Sequence, residues 1–123
     1  MPKASSNSVK VFYANKENVE AELKRCVARL VRAHPEIKKV VHFGSYVTDR
    51  YGPASDIDLL IILDKAPGRM LDRIPHYLPE GLSLPVDVFP YTQAEIDTML
   101  ADGNPFIRRA LAEGKVLYER AAH

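Results

Sequence analysis

The chain of 123 residues is 46% hydrophobic and 27% charged, which suits one compact domain with a real core and excludes a pair of domains. Its 17 basic and 16 acidic side chains nearly cancel, so bulk charge points away from direct nucleic-acid binding and from a membrane surface. One cysteine, Cys26, cannot close an internal disulfide, no Cys/His cluster suggests zinc, and no apolar run reaches the roughly 18 residues of a membrane span; the expected location is a reducing cytoplasm.

Residues 1–8 are polar and read as a disordered tail ahead of a single domain over 9–120. Asn15 is placed to cap a helix whose apolar positions, Val19, Leu23, Cys26, Val27, Leu30 and Val31, form one buried stripe ending before His34-Pro35. The spacing predicts a first strand over Ile37 to Phe43, closed by Gly44-Ser45, where a short helix begins. Ser55 to Leu63 reads as a central strand, apolar on both faces after its first residues. Pro67-Gly68 marks a turn, Arg69 to Ile74 a short helix, and Pro75, Pro79, Gly81 and Pro85 an irregular connection. A third strand, Leu84 to Phe89, is expected to stop at Pro90. Thr92-Gln93-Ala94-Glu95 is a capping box opening a helix that Gly103 ends; Asn104-Pro105 opens the next, ended by Gly114, before an edge strand over Lys115 to Tyr118.

The chemistry concentrates in Gly44-Ser45, ten residues, then Asp56-Ile57-Asp58. In a strand, residues two apart share a face roughly 7 Å apart, so Asp56 and Asp58 point together while Ile57 enters the core. Two carboxylates aimed at one spot repel unless a hard divalent cation joins them, and magnesium suits one or two carboxylates plus phosphate oxygens. A glycine at a strand-to-helix turn lets phosphate approach backbone N–H groups, and Ser45 adds a hydroxyl. Asp87, alone among Val86, Val88 and Phe89, is positioned to join from an adjacent strand, as a further metal ligand or as the base that takes a proton from an attacking hydroxyl. Each piece by itself is common as a turn or a solvated strand end. Their order, with a long buried strand behind them, distinguishes a site.

The stretch GSYVTDRYGPASDIDLLIIL resembles the signature of the DNA polymerase beta type nucleotidyltransferase superfamily, Gly-Ser, about ten residues, Asp-x-Asp. With VDVF as a third-carboxylate segment and the ending NPFIRRALAEGKVLYER, the chain is similar to the small stand-alone members, the minimal nucleotidyltransferases. The resemblance implies an α/β (α+β) fold, a polymerase-beta-like mixed sheet of about four strands with helices packed on it, on one side. It also implies Mg2+ on Asp56, Asp58 and Asp87, with the phosphates of ATP near Gly44 and Ser45. Many such proteins are antitoxins that transfer AMP to a tyrosine of a HEPN-type toxin, and this chain has no room for the added recognition domain of larger relatives. One departure stands out: the Arg-Gly pair that many members carry after Gly-Ser is Thr48-Asp49 here. Arg50 is the candidate to supply the missing positive charge; Arg69 and Arg73 in the following helix are further candidates, for which a solvated surface arginine is the commoner reading.

The expectation is therefore a magnesium-dependent protein adenylyltransferase and antitoxin, with a toxin or a second copy as its partner. A non-catalytic binding module of the same fold, or transfer to a small molecule such as an aminoglycoside, are the alternatives. His42 reads as a sheet histidine, His34, His76 and His123 lack ligand spacing, and Lys115 and Tyr118 belong to the edge strand. The absence of a Walker A motif and of GxGxxG excludes the common phosphate-loop and dinucleotide patterns.

Overall fold

A computed structural model of the chain describes residues 16–44 and 57–121. Helix α1 (Lys16–Ala33) leads to strand β1 (Ile37–Phe43), and β2 (Ile57–Leu63) is followed by a short helix α2 (Met70–Arg73) and a 3-10 turn at Ile74–His76. Strand β3 (Val86–Thr92) runs directly into α3 (Gln93–Ala101), and α4 (Pro105–Glu113) into β4 (Lys115–Glu119). The four strands form one mixed sheet in the order β3-β2-β1-β4, with β1 antiparallel to both β2 and β4, and β2 parallel to β3.

Strand alternation divides the core in two. Ile57, Leu59, Ile61 and Leu63 of β2, with Val40 and Val88, pack against the stripe Val19, Leu23, Val27 and Leu30 of α1. Leu60 and Ile62, with Val41, pack against Ile96 of α3 and Ile107 and Ala110 of α4. Helices therefore cover both faces, and the expectation of helices on one side is corrected. The physical cause is the run Leu59 to Leu63, buried at every position, which leaves neither face of β2 fit for water.

The third strand also differs from expectation, since it continues through Pro90 to Thr92. Because β3 is an edge strand, only one side of its backbone needs a ladder partner. The Pro90 carbonyl accepts from Arg73 Nη1 at 3.1 Å instead, so the position without an N–H faces the free edge, where a proline is tolerated.

Arg73, 4% exposed, closes that edge. Its guanidinium also donates to the carbonyls of Pro67 and Gly68 and pairs with Glu95 at 2.8 Å. Glu95 in turn completes the predicted capping box, accepting from Thr92 N at 2.8 Å while Thr92 Oγ1 accepts from Glu95 N. Gly103, at φ 74°, ends α3 as expected, and the Asn104 side chain accepts from the N–H groups of Phe106 and Ile107 at the start of α4. Cys26 is buried, as read from its neighbours, and its thiol donates to the Glu80 carbonyl. Among the described residues no helix is long and apolar enough to cross a membrane.

Candidate active site

Ile57 is fully buried, and Asp58, the next residue, takes the opposite parity. A one-residue slip of β2 would place carboxylates where Ile57, Leu59 and Ile61 now pack, so the apolar run locks the register that presents Asp58. By alternation Asp58 shares the face of Leu60, the face covered by α3 and α4.

The parallel ladder places Asp58 of β2 directly opposite Asp87 of β3. Neighbouring strands lie about 5 Å apart, so two carboxylates from separate segments start from adjacent backbone positions and face the same way. The Pro85 carbonyl accepts from Ile57 N at 2.9 Å, which ties the beginnings of the two strands together. Asp58 is half-buried and Asp87 exposed.

On the other flank, Phe43 of β1 pairs with Asp58, and Gly44 follows at φ 93°. A Cβ at Gly44 would collide with the Asp58 carboxylate. Glycine is thus required twice here, by its backbone conformation and by the carboxylate lying against it. The strand order brings Gly44, Asp58 and Asp87 to one end of the sheet.

Of the residues expected at the site, Asp56, Ser45 and Arg50 lie outside the described residues, as do Thr48, Asp49 and the short helix expected after Gly44. Arg69 and Arg73 are not brought to it. Both follow the far end of β2, roughly 17 Å along the strand from Asp58, and Arg73 is committed to the edge of β3 and to Glu95. The expectation that either replaces the missing motif arginine is corrected; the distance from Leu63 back to Asp58 decides it. His42 is buried and alternates onto the α1 face with Val40, away from the carboxylates. His34 lies against Tyr77 and Glu36, a structural cluster.

Sequence reasoning passed over α4. Phe106 meets Phe43 at 5.4 Å and Phe89 at 5.1 Å between ring centroids, so three aromatic rings converge on the carboxylate face. Beside them opens a pocket of about 540 Å3 lined by Gly44, Phe43, Phe106, Arg109 and Glu113. In the sequence Phe106 and Phe43 look like ordinary core positions, and Arg109 like a solvated helix arginine.

Residues 21–118 match the nucleotidyltransferase domain family. The chain belongs to that family. Solved structures similar to this nucleotidyltransferase domain include a Sulfolobus solfataricus protein assigned as a nucleotidyltransferase, at 20% identity and a TM-score of 0.60, with 85% of this chain and 84% of that chain covered. A chain of a toxin-antitoxin crystallised with AMP-PNP matches at 19% identity and a TM-score of 0.54, covering 79% of this chain and 73% of that one. A chain of a mutant MntA-HpeT toxin-antitoxin matches at 17% and 0.52 with the same coverage. At these identities the shared property is the fold. No match is found among curated proteins.

The described site fits a hard divalent cation. Asp58 and Asp87 are an all-oxygen pair at adjacent positions, and the missing side chain at Gly44 is what lets the Asp58 carboxylate lie against the end of β1.

Proposed function

We propose that the chain is a magnesium-dependent adenylyltransferase that moves AMP from ATP onto a hydroxyl, that of a tyrosine, in a HEPN-type toxin, and so acts as that toxin's antitoxin. One observation carries this reading: the register that sets Asp58 beside Asp87, with Gly44 against Asp58, in a chain of the nucleotidyltransferase family. The fold shared with a toxin-antitoxin crystallised with AMP-PNP supports an adenine nucleotide and a toxin partner.

Asp58 and Asp87, together with Asp56, would hold the magnesium ion. When bound, the ion supplies positive charge against which carboxylates and phosphates can share one spot. Gly44 makes room for the Asp58 carboxylate, and the backbone there, with Ser45 and Arg50, would anchor the phosphates. Asp87 is the exposed residue of the edge strand, which leaves its flank open to a protein acceptor. There the acceptor oxygen bonds to the α-phosphorus, the bond from that phosphorus to the α–β bridging oxygen breaks, and pyrophosphate departs. The hydroxyl proton passes to the Asp87 carboxylate. Most of the rate enhancement comes from holding these groups in line in a preset field.

The test uses ATP carrying radioactive phosphorus at the α position, magnesium and the protein encoded beside this one. Wild type is expected to label the neighbour, and Asp58→Asn or Asp87→Asn to reduce the rate at least about a hundredfold. A stable complex that never acquires label would replace the enzymatic reading with a module that neutralises by covering its partner.

A further inference from the structure

The pocket beside Gly44 has no role in the reading above, yet it adjoins the reacting end of the site. Phe43 and Phe106 give it an aromatic lining, while Arg109 and Glu113 stand exposed at its rim. Its volume of about 540 Å3 is that of a small-molecule site, and its mostly apolar lining with few polar groups is the usual recipe for one. Phe106 is 37% exposed although two other rings hold it, and the Asn104 cap fixes the backbone on which it is carried. A preset, accessible aromatic surface is suited to stacking a planar group.

We infer that this pocket takes the nucleobase of the donor triphosphate, stacked on Phe106, with Arg109 and Glu113 reading its polar edge. The inference rests on the proposed nucleotidyl transfer. Gly44 both lines the pocket and touches the Asp58 carboxylate, so it separates two compartments that one nucleotide can span, phosphates on the carboxylate side and base on the aromatic side. The acceptor keeps the opposite flank, along Asp87 on the edge strand. Arg109 Nε and Glu113 Oε1 are 3.4 Å apart, one helical turn from each other, which steadies a carboxylate acceptor and a guanidinium donor at the rim. A carboxylate there accepts from an exocyclic amino group, which adenine carries and uracil lacks. The guanidinium adds a cation–π contact to the ring.

Equilibrium binding of ATP, UTP and inorganic tripolyphosphate, each with magnesium, separates the base from the phosphates. Wild type is expected to prefer ATP over UTP. Phe106→Ala should weaken ATP about tenfold while changing tripolyphosphate by no more than about twofold. Glu113→Gln, on an exposed side chain that leaves the core intact, should narrow the preference for ATP over UTP. Equal effects of Phe106→Ala on ATP and tripolyphosphate, or none on either, would overturn the base pocket while leaving nucleotidyl transfer standing. Unchanged ATP affinity with a raised KM for the acceptor protein would assign the pocket to the acceptor instead. Wild type binding neither ATP nor tripolyphosphate would remove the donor site, and this inference with it. Photolabelling of the unmodified protein with 8-azido-ATP gives a readout independent of variant folding: label within 105–113 is expected, and label confined elsewhere overturns the proposal.

Discussion

Gly44 carries the tightest constraint among the described site residues. Its φ of 93° lies where side-chain-bearing residues are strained, and a Cβ would occupy the place of the Asp58 carboxylate. Gly44→Ala must therefore shift the turn or the carboxylate. The expected result is a loss of about 1–3 kcal/mol in unfolding free energy, seen by urea titration, and a fall of roughly a hundredfold or more in transfer rate, because a displacement near 1 Å suffices for that. A variant of unchanged rate would show that Asp58 is free to move without consequence, contrary to the geometry above. Asp87 makes the complementary point: its significance comes entirely from the residue opposite it in the ladder.

Among elements, the edge strand β3 depends on one side chain from another segment. Arg73 satisfies carbonyls at Pro67, Gly68 and Pro90 and holds Glu95, which in turn caps α3. Arg73→Met would strand these groups, at a cost of about 2–4 kcal/mol by chemical denaturation, while the nucleotide binding proposed for the far end of the sheet is expected to stay as in wild type. Hydrogen bonds from Arg73 hold the Glu95 carboxyl below the usual range, so this pair adds stability above pH 4.5 that is lost as the pH falls through the lower folded value. The variant should accordingly show a shallower decline of stability in acid than wild type. Equal acid sensitivity would mean that other carboxylates dominate.

At the scale of the whole molecule, the connection between α2 and β3 is tied to the start of β1 through Tyr77, which donates its hydroxyl hydrogen to Glu36 and packs against the ring of His34. Burial, and then the Glu36 carboxylate, push the Tyr77 phenol from 10 up to about 12. The folded state thus holds this proton more firmly than the unfolded chain does. Its contribution is complete below pH 10 and disappears as the pH rises toward about 12. Melting temperatures measured from pH 9 upward should decline more steeply for wild type than for Tyr77→Phe, which has no phenol to ionise; parallel curves would show that the tie carries no proton-linked stability.

The local grammar was complete enough in the sequence to place most elements. The α1 stripe, the capping box at Thr92, the Asn104-Pro105 start and the apolar run of β2 each act within a few residues, so periodicity and capping chemistry reveal them. The same locality made the Gly44 and Asp58 end of the motif legible. Pro90 misled because a proline stops a strand only where its N–H side needs a partner, and whether a strand lies at an edge is a property of the sheet order. Arg69 and Arg73 are not at the site because nearness along the chain is not nearness in space once roughly 17 Å of strand, from Asp58 to Leu63, intervenes. By itself the sequence determined which short segments pack and which carry the acidic and glycine positions of the candidate site. Only the tertiary structure decided that Asp87 stands beside Asp58, that helices cover both faces, and that α4 brings Phe106 and Arg109 to Gly44, because each of these rests on pairing between segments far apart in the chain.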